Sequence, residues 1–280
     1  MQTAEEIKEV IKSKYSEIAN QSKEQNESSC CGSSCCSSVD YTIFSKDYSR
    51  LEGYYPEADL GLGCGIPTQF ASIQRGHTVI DLGSGAGNDA FVARSLVGES
   101  GRVIGIDMTE TMVERARMNN ERLGFNNVEF RLGEIEKIPC TSEIADVVIS
   151  NCVLNLVPSK EKAFSEIYRV LKNSGHFCIS DIVLNGNFPE KLRTVAEMYA
   201  GCVSGAIQKS EYLELIEKTG FQNISIKKEK QIQIPDDIYS QYLSEEEIAN
   251  LKNSNLKILS ITVYAEKLAQ KTCCIPGTCC

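Results

Sequence analysis

The stretch HTVIDLGSGAGND, residues 77–89, decides the fold. Its first half is an apolar run that closes on an acid. Its second half is rich in glycine and leads into AFVARSLVG, which has helical spacing. The order reads strand, glycine loop, helix. Gly83, Gly85 and Gly87 stand as G-x-G-x-G. So tight a turn favours residues without a Cβ, and a ligand approaching the backbone needs the same freedom. The helix N-terminus beyond offers unpaired N–H groups and the positive end of the helix dipole.

Outward from this point the alternation continues. GRVIGIDMT is a strand, TETMVERARMNNERLG a helix, NVEFRLG a strand and ADVVISN an apolar strand. KEKAFSEIYRVLK is a helix and HFCISDIVL another strand. Strands alternating with helices predict an α/β fold, a mostly parallel sheet with helices on both faces. Beyond it, FPEKLRTVAEMYAGC and SEYLELIEKTG have helical character, and NISIKKEKQIQI alternates like a half-exposed strand. SEEEIANLK opens with Ser244 and Glu247 in capping-box spacing, and LKILSITVYAEK is a last strand. The last two strands fit either a pairing of their own or addition to the main sheet. Upstream, Ile7, Val10, Ile11, Tyr15 and Ile18 mark a helix over 4–19, and residues 21–40 read as a polar, cysteine-bearing tether.

Net charge is −9, from 29 basic and 38 acidic residues, and no basic run forms a phosphate-binding face; nucleic acid is not the expected partner. The N-terminus, MQTAEEIKEVIKSKY, is charged from the start and lacks the apolar segment of a secretory leader. No run approaches the ~18 apolar residues of a membrane span. The expectation is a cytoplasmic protein without a membrane partner. Thirteen cysteines are many for such a chain. In a reducing compartment they are thiols, which points to metal binding, redox chemistry or catalysis.

Asp81 closes the first strand, ahead of the glycines. An acid there repels a pyrophosphate and suits a cation such as a sulfonium with an α-amino group. A dinucleotide site would prefer G-x-G-x-x-G, and position 88 is Asn. Asp107 ends the next strand, where an acid accepts hydrogen bonds from ribose hydroxyls. The set resembles the class I S-adenosylmethionine methyltransferase pattern. That resemblance makes S-adenosylmethionine the cofactor, with Asp81, Gly83, Ser84, Gly85, Gly87, Asp107 and Met108 around it. It also puts Glu134 and Ile135 at the adenine and Asn151 at the mouth of the cleft. GLGCG, residues 61–65, has glycine spacing but no apolar strand before it, and reads as a loop carrying Cys64.

Cys152, in SNCVLNLVP, lies just past the carboxyl end of a parallel strand, the edge where open α/β sheets bind ligands. Cys202 lies among small residues in YAGCVSGA. Cys178, inside a strand, reads as a buried small hydrophobe; Cys140 has no assigned role, and His77 and His176 read as structural. The strings SCC, LGLGCG, SNCVLNLVP and GCVSGA, in this order around a methyltransferase core, closely resemble the arsenite methyltransferase family. The resemblance runs from the SKYSEIA helix to about residue 220. It implies that Cys152 and Cys202 hold trivalent arsenic as substrate. It also implies that Cys64 and a cysteine of the N-terminal cluster, Cys31 or its neighbour Cys30, assist in loading and redox cycling. Arsenite or its thiol conjugates would be the substrate, thioredoxin or a small thiol the reductant, and detoxification the role. No general base is needed, because the arsenic lone pair carries no proton.

The resulting division is an N-terminal helix and Cys-rich tether (1–40), a methyltransferase domain (41–187), a smaller α+β region contributing to the arsenic site (188–270) and a Cys-rich tail (271–280). Cys30, Cys31, Cys35 and Cys36 on the tether, and Cys273, Cys274, Cys279 and Cys280 on the tail, suit metalloid capture. Zinc binding and a dispensable tail are the other readings. At the level of function the alternatives are a methyltransferase for another small molecule and a thiol-based metalloid-binding protein.

Overall fold

A computed structural model describes residues 4–23, 26, 46–188, 205–233, 236–240 and 243–269. The tether cysteines, Cys202, the helix expected over FPEKLRTVAEMYAGC and the tail cysteines lie outside the described residues.

The core is one seven-stranded sheet in the order β3-β2-β1-β4-β5-β7-β6. β1 (Thr78–Leu82) pairs in parallel with β2 (Arg102–Asp107) and β4 (Ala145–Asn151). β3 (Val128–Leu132) extends one side, and β5 (Leu171–Asn185) the other, also in parallel. β7 (Lys257–Glu266) runs antiparallel between β5 and β6 (Gln222–Ile232), so both late strands complete the main sheet. β6 forms one edge, and its exposed KKEK run keeps that edge charged, which discourages pairing with another chain.

Successive residues of the strands face opposite sides. Ile80, Ile104, Val148 and Phe177 face one helix layer, while Val79, Val103, Val147 and Cys178 face the other. The second layer contains α2 (Asn88–Val97) and α3 (Glu110–Leu123), which bury Phe91, Met112, Val113 and Ala116. The first contains α4 (Lys160–Val170) and α5 (Lys209–Lys218), with Phe164 and Tyr212 edge to face at 5.5 Å. α1 (Ala4–Ala19) docks on the α3 side: Ile18 and Ala19 join that core, and the Arg115 guanidinium donates to the carbonyls of Ala19 and Gln21, both at 2.6 Å. α6 (Asp236–Tyr239) and α7 (Glu245–Asn253) connect β6 to β7; Ser244 and Glu247 form the expected capping box. The chain winds one way from β1 to β3 and the other from β4 to β5. This opens a crevice at the carboxyl ends of β1 and β4.

Candidate active site

The glycine loop floors that crevice. Gly85 has φ +50°, and a Cβ built on it would meet nothing nearer than the Met112 sulfur at 4.0 Å, so its open face is cleft. Gly87 caps α2 against the Phe91 and Phe130 rings and is not among the residues lining the cleft. The cleft encloses about 1130 Å³ counted to its open mouth. Asp81, Gly83, Ser84, Gly85, Asp107 and Met108 line one part of it, and Glu134, Ile135, Asn151 and Cys152 another. α1 supplies Lys8, Ile11 and Tyr15 to the same wall.

Charge at the floor is unbalanced. Asp107 accepts backbone N–H bonds from Gly85 (3.0 Å) and Thr109 (2.9 Å). Burial nonetheless raises its pKa, and those donors offset only part of the shift. Burial, then the nearby charges of Asp89 and Asp107, push Asp81 well above the usual carboxylate range. Asp89 is raised to about 6 by burial, against hydrogen bonds from Asn151 and Tyr48. Asp81 Oδ2, Ser84 Oγ and Asn88 Oδ1 are buried with no partner within the protein. Buried acceptors left unmatched are costly. This set fits a ligand that brings positive charge and hydrogen-bond donors, as S-adenosylmethionine does.

Glu134 is not a bare wall residue. Lys8 Nζ lies 2.7 Å from its carboxylate and 2.7 Å from that of Glu136. The Lys8 hydrogen bond holds Glu134 below its ordinary pKa. This clasp fastens α1 over the Glu134 side of the cleft.

At its carboxyl end, β4 stops at Asn151 and Cys152 turns with φ +62°. A side chain with a Cβ in that left-handed region carries backbone strain, a feature that gathers at functional sites. The Cys152 N–H donates to Ser180 O at 2.7 Å, which fixes the turn against β5. Cys152 and Cys64 belong to one apolar cluster with Ile182, Leu184, Ala206 and Ile258. Cys64 is fully buried on its loop, and Asn151 secures that loop: its Oδ1 accepts from the N–H groups of Cys64 (3.1 Å) and Gly65 (3.2 Å), and its Nδ2 donates to Gly65 O (3.0 Å). No disulfide links Cys64, Cys140, Cys152 and Cys178 to one another.

The remaining candidates have other surroundings. Cys178 is in the sheet core, where burial pushes its thiol up to about 12. Cys140 is half-buried beside Arg131, and burial raises its pKa. His176 bonds to Ala71 O at 2.6 Å, and His77 Nδ1 accepts from the Gln74 N–H. Tyr48, Asp89 and Lys8 were not signalled by the sequence motifs. Asp89 stands at the end of the decisive stretch, but its burial depends on Tyr48, more than forty residues upstream.

A methyltransferase domain profile matches residues 73–220. The arsenite methyltransferase of Halobacterium salinarum is 36% identical over 279 residues, 95% of this chain and 68% of that protein. The chain belongs to the arsenite methyltransferase family. The human arsenite methyltransferase is 41% identical over 170 residues, and the match spans 44% of its length. Among solved structures, an arsenic (III) S-adenosylmethionine methyltransferase from Chlamydomonas reinhardtii superposes with a TM-score of 0.63 at 34% identity, covering 74% of this chain and 68% of that one. Among the described residues, no helix of this arsenite methyltransferase relative is long and apolar enough to cross a membrane.

Proposed function

We propose that this chain transfers a methyl group to trivalent arsenic held by Cys152 and Cys202, with Cys64 and Cys31 assisting. The carrying observation is the strained turn at Cys152, a residue that shares an apolar cluster with buried Cys64 and lines the same cleft as Asp81 and Asp107. S-adenosylmethionine, when bound, supplies an electrophilic methyl carbon on a sulfonium. Asp81, Ser84 and Asn88 have acceptors for its ammonium and sulfonium charge, Asp107 for ribose hydroxyls, and Ile135 an apolar surface for adenine. Gly87 serves this site by shaping the loop rather than by contact.

Soft thiolates select a thiophilic centre over hard ions and raise the electron density on arsenic. The residues around Cys64 and Cys152 exclude water, so the substrate is held dry and oriented for in-line attack by its lone pair. Cys202 stands three residues before Gly205, and Ala206 packs in the cluster with Cys64 and Cys152, which supports a third donor from that segment. Ser260 of β7 donates to Cys64 O at 2.8 Å, so the region after residue 188 takes part in the same site.

Transfer raises arsenic formally to the pentavalent state. Two electrons return it to the trivalent state; a pair of protein thiols can supply them and become a disulfide, which thioredoxin or a small thiol reopens. The segment carrying Cys30, Cys31, Cys35 and Cys36 suits this task. On its two flanks, Asn26 donates to Leu60 O at 3.1 Å, and Lys46 and Leu60 both line the cleft. Such a cycle fits a reducing, cytoplasmic setting. The test is product speciation after incubating the purified chain with arsenite, S-adenosylmethionine and a thiol reductant. Methylated arsenicals are expected; recovery of arsenite alone overturns the proposal.

A further inference from the structure

Asn151 is an unusually well-anchored amide. Besides its bonds to Cys64 and Gly65, its Nδ2 lies 3.0 Å from Asp89 Oδ2 and donates to the Tyr48 hydroxyl at 2.7 Å. The Tyr48 hydroxyl lies 3.0 Å from both Asp89 oxygens and from Gly65 O, and its single proton serves them. Tyr48 and Asp89 are both buried.

An amide side chain can present either end to a neighbour. A carboxylate only accepts, so Asp89 fixes the choice: Nδ2 faces the acid and Oδ1 must face the Cys64 and Gly65 N–H groups. The opposite side of the Cys64 peptide is held separately, by Ser260 Oγ on the Cys64 carbonyl. The two clamps grip one residue from two strands. One of those strands, β4, ends on the residue before Cys152. Burying a carboxylate is expensive, and an apolar contact would have fastened a loop at lower cost. Holding an amide in one orientation is what a carboxylate adds.

We propose that Tyr48, Asp89 and Ser260 are positioning residues that fix the Cys64 backbone relative to Cys152, and so set where the assisting thiol stands as arsenic reaches its site. The proposal rests on the arsenic reading of the site. Asp89 also stands in the first turn of α2, directly after the glycine loop, so the same network joins the floor of the cleft to the thiol wall.

The test is arsenite binding by equilibrium dialysis to donor-free protein whose tether and tail cysteines are replaced by serine, so that capture there does not mask the cleft; it does not depend on turnover. Tyr48→Phe, which removes a donor and an acceptor, is expected to weaken binding roughly five-fold, and Ser260→Ala, the loss of one hydrogen bond, about three-fold. In a Cys64→Ser background neither change should weaken it further, since the residue being positioned has lost its sulfur. Ser260→Ala removes one oxygen and serves should Tyr48→Phe fail to fold. Wild-type affinity in both variants, or losses that persist in the Cys64→Ser background, overturns the positioning role while leaving the arsenic site standing. Failure of the wild-type chain to bind arsenite overturns the arsenic reading and this proposal with it.

Discussion

At the floor of the cleft, burial and mutual repulsion raise the pKa of Asp81, and Asp89 beside it is raised to about 6. At the thiol wall, Cys152 lines the cleft with Cys64 buried behind it; both sit among aliphatic side chains, and the tension is in the backbone, at φ +62°. The first region is uncomfortable until a cation arrives. The second is apolar, which suits the soft neutral centre proposed for it. On the reading proposed above, one cleft holds a sulfonium at its acids and a thiolate-bound arsenic at its cysteines, and neither part suits the other ligand.

The contrast breaks most visibly at Cys152. Cys152→Ser is expected to cut methylation by about 10²-fold or more, since a misplaced acceptor loses the gain of orientation. The strain has its own signature in denaturant unfolding. Cys152→Gly should be more stable than Cys152→Ala by about 1 kcal/mol, the reverse of the usual penalty for glycine.

Asp81→Asn separates binding from stability at the floor. Donor affinity, measured by calorimetry, should fall about ten- to a hundred-fold with the loss of a charged acceptor. The donor-free protein should melt higher at neutral pH. Asp81 has a folded pKa raised above 3.8, so its contribution to stability is complete below that value and is lost as pH rises through the raised one.

How far the sequence discloses this arrangement differs between the same two regions. The floor follows from local order: the glycine loop, Asp81 and Asp107 lie on consecutive strand ends, and the sheet rule fixes where those ends meet. Placing β6 and β7 depends on long-range pairing that periodicity does not specify. At the thiol wall, Cys64 and Cys152 are visible as residues, but their meeting depends on an amide bridging 87 positions of chain. Tyr48 and Lys8 carry no motif at all; their roles come from where α1 and the loop containing Tyr48 fold back over the cleft. The assignment of Gly87 shows the reverse limit, since equal spacing in sequence gave it the same expected role as Gly85, while the helix cap turns it toward Phe91.

A smaller effect sharpens the electrostatic half of the comparison. Donor affinity should fall about three- to ten-fold between pH 7 and pH 5, because protonating Asp89 near pH 6 removes charge that attracts the cation. Proton release on binding near pH 6, read from calorimetry in buffers of different ionisation heat, checks it. The smallest expected effect is at the clasp. Lys8→Ala should raise the donor KM by no more than about three-fold, since Glu134 is partly exposed and its pair with Lys8 is screened.

The most direct measurement is X-ray absorption at the arsenic edge on arsenite-loaded, donor-free protein whose tether and tail cysteines are replaced by serine. The account predicts a shell of sulfur neighbours only, with one sulfur fewer in Cys152→Ser. Oxygen neighbours, or a shell unchanged by that substitution, would contradict it.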